Sequence, residues 1–198
     1  MEKPPYWLSF IAAPHPTISP HPNPNPRHPK NMATKPKGKL AKSLETELIA
    51  LLEGGHAHAT FEDAVKDFPA TLRSKVPKGL PYSAWQIVEH LRIAQQDMLH
   101  FSDNTQGNYA EKKWPDDYWP KSPTPPTASS WKKSIDAIHA DRKSFLKLLQ
   151  EADKATLIKP FPWGEGQSLL KEALQLADHN AYHVGELVVL RRLLGAWK

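Results

Sequence analysis

The 198-residue chain contains no cysteine. This absence excludes disulfide bonds, thiolate metal sites, iron–sulfur clusters and a cysteine nucleophile. It is consistent with a reducing compartment, and we expect a cytoplasmic protein. Long apolar runs are also absent, since no stretch approaches the roughly 18–20 apolar residues that a transmembrane helix requires. The sequence therefore predicts neither a membrane protein nor one held together by covalent cross-links.

The chain also has little excess charge outside its N-terminal segment. Of its 26 basic and 21 acidic residues, six and one lie in residues 1–40, which leaves 20 of each in residues 41–198. Nucleic-acid binding generally requires a basic surface that faces the phosphates. The net charge of +5 therefore belongs to the N-terminal segment, and we do not expect nucleic acid as a partner.

Residues 1–40 contain ten of the 20 prolines. Because proline lacks an amide hydrogen and fixes φ, this Pro/His-rich segment is predicted to be extended and disordered. The apolar residues 6–13 are followed by a His/Pro run instead of a cleavage site, which is not typical of a signal peptide. Met32 opens a sequence like an ordinary cytosolic N-terminus. One hypothesis is therefore that translation starts there and that residues 1–31 are not translated.

Residues 41–198 are predicted to form one all-α domain. Helical periodicity marks long helices over residues 43–53, 83–101, 130–149 and 168–194. Ser83 and Gln86 form a capping-box pattern, and Thr60 is a candidate N-cap for a further helical stretch that Pro69 bends. No stretch alternates as a strand would. Several long amphipathic helices joined by loops predict a helical bundle.

A long loop is predicted over residues 102–126, which lack a helical period and contain five prolines. Loops of this length are usually either functional or disordered. The large aromatic residues Trp114, Tyr118 and Trp119 argue against disorder and therefore favour an ordered loop. With Trp163, these side chains either wall a binding site or fill the end of the bundle. The sequence favours neither interpretation.

The last helix carries an apolar seam that is interrupted by two polar residues. The seam recurs at spacings of three and four and comprises Leu169, Ala173, Leu176, Asn180, His183, Leu187, Leu190 and Leu194. A buried amide or imidazole costs a few kcal/mol unless it finds a partner. His179 lies one turn before His183, so both imidazoles project from one face, and this H-x-x-x-H spacing is typical of a metal platform. The alternative is a pair of hydrogen-bonded core histidines.

A third ligand would have to come from a neighbouring helix, and His90 is the best placed. It lies on the edge of the apolar stripe of its helix. At this position the sequence is equally consistent with a metal ligand and with a hydrogen-bonded core histidine. Glu186 shares the face of His179 and His183. It could be a fourth ligand, an acceptor that orients an imidazole, a general base or an ordinary polar residue of the bundle.

Three segments together resemble the DinB-like superfamily, which includes the YfiT-like proteins assigned as metal-dependent hydrolases. Residues 85–91 contain its E-H-L helix, residues 178–186 its H-x-x-x-H-x-G helix, and residues 191–195 its terminal R-x-x-G. The resemblance covers about residues 41–198. It implies a four-helix bundle that binds a divalent metal, usually zinc or nickel, through His90, His179 and His183. Where the family often has glutamine, this chain has Glu186.

The resemblance also implies a reaction class. Characterised relatives depend on low-molecular-weight thiols, so we expect a hydrolase or a thiol transferase that acts on a small-molecule substrate. Because the chain has no cysteine, any thiol would be a separate cosubstrate. Similar bundles often form homodimers. The alternative is a non-catalytic helical bundle in which the metal only stabilises the fold.

Overall fold

The structure is a computed structural model that describes residues 37–54 and 57–197, with side chains from Leu44 onward. The predicted disorder of the N-terminal segment and the hypothesis of a start at Met32 concern residues outside this range. The first helix begins at Lys37, so the boundary predicted at residue 40 falls inside a helix.

Six α-helices and no β-strand are present in residues 37–54 and 57–197. They are α1 (Lys37–Glu53), α2 (Phe61–Val65), α3 (Ala84–Ser102), α4 (Ser130–Glu151), α5 (Lys154–Ile158) and α6 (Leu169–Leu193). No helix in this part of the chain is long and apolar enough to cross a membrane. The predicted all-α fold is confirmed.

The four long helices form a bundle. Helix α3 lies against α4 and α6, and α1 contacts the same two helices. Helices α1 and α3 therefore occupy opposite corners, as do α4 and α6. The short helices α2 and α5 both pack against α6.

The predicted capping patterns fix where helices begin. The Ser83 hydroxyl accepts the Gln86 amide hydrogen at 3.2 Å, and the Gln86 side chain accepts the Ser83 amide hydrogen at 3.1 Å. Thr60 and Asp63 form the same reciprocal pair at the start of α2. Each pair satisfies amide groups that the first turn of a helix leaves without partners. The start of α3, which carries His90, is thus set by local sequence.

Two short elements differ from the prediction. Helix α2 ends at Val65, before Pro69, because Lys66 leaves the helical region with ψ of 127°, and Asp67 then adopts a left-handed conformation with φ of 51°. Pro69 does not bend a helix but precedes a single 3-10 turn over Ala70–Leu72. Helix α5 was not predicted; the Asp153 carboxylate caps it by accepting the Thr156 amide hydrogen at 2.7 Å.

The core consists of two apolar clusters with a polar layer between them along α3 and α6. One cluster contains, among others, Ile87, Val88 and Leu91 of α3 with Val184, Leu187 and Leu190 of α6. The other contains, among others, Met98 and Leu99 of α3 with Leu169, Ala173 and Leu176 of α6. Between them lie buried Gln95 and half-buried Asn180. The predicted polar interruption of the last helix is therefore a layer that crosses the bundle.

The predicted long loop between α3 and α4 is ordered and is tied to the start of α3. The Ser83 hydroxyl donates to the Pro123 carbonyl at 2.7 Å, and the side-chain amide of Gln86 donates from Nε2 to the Pro120 carbonyl at 3.0 Å. Tyr118 is buried, with 2% of its surface exposed. The loop therefore holds a fixed position beside the first half of α3.

Candidate metal centre

Three imidazoles converge where α3 faces α6. His90 comes from α3, and His179 and His183 come from successive turns of α6; one ring nitrogen of each lies within 4.8 Å of the others. The Nε2 atoms of His90 and His179 are 3.1 Å apart. His90 and His183 are buried, and His179 is half-buried. The structure thus brings together the three histidines that the sequence grouped.

Hydrogen bonds fix the tautomers of His90 and His183. His90 Nδ1 lies 3.0 Å from the Tyr118 carbonyl oxygen, and His183 Nδ1 lies 2.7 Å from the Glu186 carboxylate. A carbonyl or an ionised carboxylate can only accept, so each Nδ1 carries the hydrogen. In the neutral form of either ring, the Nε2 atom therefore keeps its lone pair. Such acceptors commonly orient histidines that bind metals.

The environment of His90 and His179 disfavours positive charge on their rings. Burial and the neighbouring His183 lower the pKa of His90 from 6.5 to about 3, although the Tyr118 carbonyl opposes this shift. Burial, together with His183 and His90, also lowers the pKa of His179 well below 6.5. Both rings are therefore neutral near pH 7, which is the form in which imidazole binds a metal.

Aromatic side chains cover one side of His90. The Trp119 ring stacks on the imidazole with ring centres 3.8 Å apart and planes within 5°. Tyr82 stacks on the other face of Trp119 at 3.9 Å, and Trp114 meets His90 edge-on at 6.4 Å. The loop therefore supplies a wall of rings at the imidazoles.

The four predicted wall residues have different positions. Trp119 and Trp114 lie against His90, whereas Tyr118 points its ring inward and donates its hydroxyl to Asp97 at 2.5 Å. The Trp163 indole donates to the Phe101 carbonyl at 2.9 Å and stacks on Phe161. Since Phe101 is eleven residues beyond His90 on α3, or about 16 Å along the helix, Trp163 belongs to another part of the bundle.

Glu186 lies at the solvent-facing edge of the site. Its carboxylate accepts the His183 Nδ1 hydrogen, which is the role of an orienting acceptor among those that the sequence left open. The negative charge of Glu186 raises the pKa of Tyr182, whose side chain is 64% exposed and meets the His183 ring edge-on at 5.0 Å. A tyrosine hydroxyl and a carboxylate thus lie on the solvent side of His183.

A second buried polar group lies two turns away and was not predicted. Asp97 of α3 and Glu172 of α6 are 3% and 4% exposed. Burial raises the pKa of Glu172 to about 7; Lys171 opposes this shift, and the charge of Asp97 adds to it. A signal existed in the sequence, because Glu172 is three residues after Leu169 and four before Leu176 on the apolar seam.

The donor set fits a divalent metal ion. Neutral imidazole nitrogen suits zinc, nickel, copper and iron. In the neutral forms of His90 and His183, the hydrogen-bonded Nδ1 carries the hydrogen and leaves the lone pair on Nε2. Three protein ligands would leave a coordination position for water or substrate, as in catalytic sites. The three histidines could therefore hold a metal ion.

Fold and site together define an all-α bundle with a three-histidine centre between two of its helices. The sequence matches the DinB superfamily over residues 55–187. The chain therefore belongs to the DinB superfamily, as its motifs predicted. No curated protein and no solved structure matches it.

Proposed function

We propose that this protein is a divalent-metal-dependent enzyme that acts as a hydrolase or as a low-molecular-weight-thiol transferase on a small molecule. One observation carries the proposal: three imidazoles converge, with one ring nitrogen of each within 4.8 Å of the others, and hydrogen bonds at Nδ1 leave Nε2 of His90 and His183 available. Membership of the DinB superfamily, a metal-binding family, supports it.

His90, His179 and His183 would hold the ion. A bound divalent metal lowers the pKa of coordinated water or thiol toward neutrality and so supplies a nucleophile. Glu186 keeps the hydrogen of His183 on Nδ1, and Trp119 shields one face of His90 from water. We propose zinc or nickel, because both accept imidazole ligands. The thiol of a transferase reaction would be a separate molecule, since the chain has no cysteine.

Metal analysis of the purified protein tests the proposal. We expect about one zinc or nickel ion per chain in the wild type and little metal in His90→Ala and His183→Ala. His100→Ala is the matched control, because His100 is an exposed residue in the last turn of the same helix as His90. Metal content near zero in the wild type, with no uptake of added zinc or nickel, would contradict the proposal.

A non-catalytic bundle that is stabilised by metal is the second candidate. It is favoured by the burial of His90 and His183, which are 1% and 6% exposed. Cobalt-substituted protein separates the two candidates. If small thiols reach the ion, a sulfur-to-cobalt charge-transfer band appears in the near ultraviolet. If thiols leave the spectrum unchanged and chelation melts the protein, the structural role is favoured.

We also propose a homodimer formed through α6. Four exposed apolar side chains of this helix lie within an arc of about 100°: Leu174, Tyr182, Val189 and Leu193. Light scattering measures the mass in solution, and we expect twice the mass of one chain. Val189→Glu with Leu193→Glu should then give a monomer. A monomeric wild type at high concentration would argue against this interface.

A further inference from the structure

Two amide side chains link α4 to the third imidazole. Gln95 of α3 is 1% exposed, and its Nε2 donates to the Ile138 carbonyl of α4 at 2.6 Å. Asn180 of α6 donates from Nδ2 to Gln95 Oε1 at 3.2 Å. Ile138, Gln95 and Asn180 therefore form one chain of hydrogen bonds that runs from α4 through α3 to α6.

The polarity of this chain is fixed at its far end. A backbone carbonyl only accepts, so Gln95 must present its NH₂ group to Ile138 and its oxygen to Asn180. Asn180 must then present its own NH₂ group to Gln95. Its remaining atom, Oδ1, is necessarily an acceptor. The Ile138 carbonyl on α4 thus determines that the free end of the Asn180 side chain is the acceptor Oδ1.

The remaining acceptor lies beside His179. Asn180 Oδ1 is buried and has no donor in hydrogen-bonding position within the described part of the chain. Asn180 follows His179 directly on α6, and hydrogen bonding by its side chain acts to raise the pKa of the His179 ring against the larger effect of burial. A buried acceptor without a donor costs about 1–3 kcal/mol, so bringing an Nδ1 hydrogen of His179 onto this oxygen would relieve that cost.

We propose that Gln95 and Asn180 are positioning residues that hold His179 with its hydrogen on Nδ1 and its lone pair on Nε2. Tyr118 and Glu186 impose the same tautomer on His90 and His183. All three rings then offer Nε2 to one point. This inference rests on the proposed metal centre.

The amide chain matters because His179 has an alternative. Its Nε2 lies 3.1 Å from His90 Nε2, which already carries a lone pair. With its hydrogen on Nε2, His179 would donate to His90 and close the centre with a histidine–histidine hydrogen bond. It would then turn an Nδ1 lone pair toward the Asn180 oxygen. The amide chain disfavours that closed state and so favours the state that binds a cation.

Zinc affinity, measured by competition with a chromophoric chelator, tests the proposal. We expect Gln95→Leu and Asn180→Leu each to weaken zinc binding by about 10–100-fold, the usual effect of losing an orienting partner. Leu91, Ile138 and Val184 line the pocket that borders both amides, so a leucine is accommodated there. Gln95→Glu should lose less affinity than Gln95→Leu, since a carboxyl group, while it is protonated, can donate to Ile138 and accept from Asn180. Gln96→Leu is the matched control, because Gln96 bonds only to Arg92 among the interactions seen in the described residues.

A second measurement separates positioning from a general loss of stability. In zinc-loaded wild type, nitrogen-15 NMR should show the His179 hydrogen on Nδ1, protected from exchange. Asn180→Leu should lose that protection. The proposal is overturned if the two leucine variants bind zinc as the wild type does, or if affinity simply follows unfolding stability across the set. A wild type that binds no zinc or nickel would instead overturn the metal centre itself, and the amide proposal with it.

Discussion

The interface between α3 and α6 has two polar halves. One half holds the imidazoles of His90 and His179, and the other holds the carboxyl groups of Asp97 and Glu172. Seven residues separate His90 from Asp97 on α3, and seven separate Glu172 from His179 on α6, so the halves are about 10 Å apart along antiparallel helices. Tyr118 contacts both, through its carbonyl to His90 and its hydroxyl to Asp97.

Burial has the same physical effect in both halves and opposite chemical results. It disfavours the charged form of every group. For His90 and His179 this lowers the pKa and leaves neutral rings with lone pairs. For Glu172 it raises the pKa to about 7, so the carboxyl group keeps its proton up to near-neutral pH. One half of the interface is therefore suited to a metal cation, and the other holds a proton over the acidic pH range.

The two halves also contribute opposite pH dependences to stability. A histidine with a lowered pKa stabilises the fold above pH 6.5 and loses that contribution as the pH falls toward its folded pKa. Glu172, with a raised pKa, stabilises the fold below pH 4.5 and loses that contribution as the pH rises to about 7. The following substitutions test this contrast.

The largest expected effect is on metal affinity. His90→Ala removes a ligand and should weaken zinc binding by more than about 1,000-fold, beyond the 10–100-fold that loss of an orienting partner costs. Glu172→Gln, in the other half, should leave the affinity unchanged. Both are measured by the same chelator competition. If Glu172→Gln weakens zinc binding as much as His90→Ala does, the two halves are not separate in function.

The next effect is on the pH dependence of unfolding. Glu172→Gln mimics the protonated side chain at every pH, so it should abolish a loss of about 3 kcal/mol that the wild type suffers between pH 4.5 and 7.5. Urea unfolding of metal-free protein at both pH values gives the free energies. Glu165→Gln, at an exposed position, is the control. Parallel curves for the wild type and Glu172→Gln would show that Glu172 does not retain its proton.

A smaller effect is expected at the residue that joins the halves. Tyr118→Phe removes the hydroxyl that donates to Asp97 and should lower the free energy of unfolding by about 2 kcal/mol, because a buried carboxyl group loses a donor. Tyr109 also donates to Asp97, but at 3.4 Å, so Tyr109→Phe should cost less. Urea unfolding at pH 7 measures both. The reverse order would mean that Tyr109, and not Tyr118, satisfies Asp97.

The smallest effect is expected at Glu186. Glu186→Gln retains an oxygen that can accept the His183 Nδ1 hydrogen, so zinc affinity should fall less than about 10-fold. Glu186→Leu removes the acceptor and should cause the larger loss, in the range of 10–100-fold. Chelator competition compares the two. An equal loss in both variants would assign Glu186 a role that depends on its negative charge, such as direct ligation.

Local patterns predicted the four long helices and the pairing of His179 with His183, whereas the assignment of His90 to the same centre came from the family resemblance. The capping pair at Ser83 and Gln86 sets the start of α3, and the H-x-x-x-H spacing places two rings on one face of α6. These features depend on residues three or four positions apart. Such spacing is sufficient to predict a helix and the side chains that share its face.

Contacts made by backbone carbonyls could not be predicted. His90 depends on the Tyr118 carbonyl, and Gln95 on the Ile138 carbonyl, and no side-chain pattern reveals either. Arg191 is a similar case, since its guanidinium bonds to the carbonyls of Asp63, Ala64 and Lys66 and so holds α2 against α6. These partners lie 28 to 128 residues apart in the chain and are set by how the helices assemble.

The stack of Trp119 on His90 gives the protein an optical property. An indole stacked 3.8 Å from an imidazole would lie close to any ion held by that ring. Open-shell ions such as nickel, cobalt or copper quench indole emission at such separations, whereas closed-shell zinc does not. Comparing the emission of the wild type with that of Trp119→Phe would therefore isolate one indole's signal. Quenching of that signal would show that the centre holds an ion with unpaired electrons.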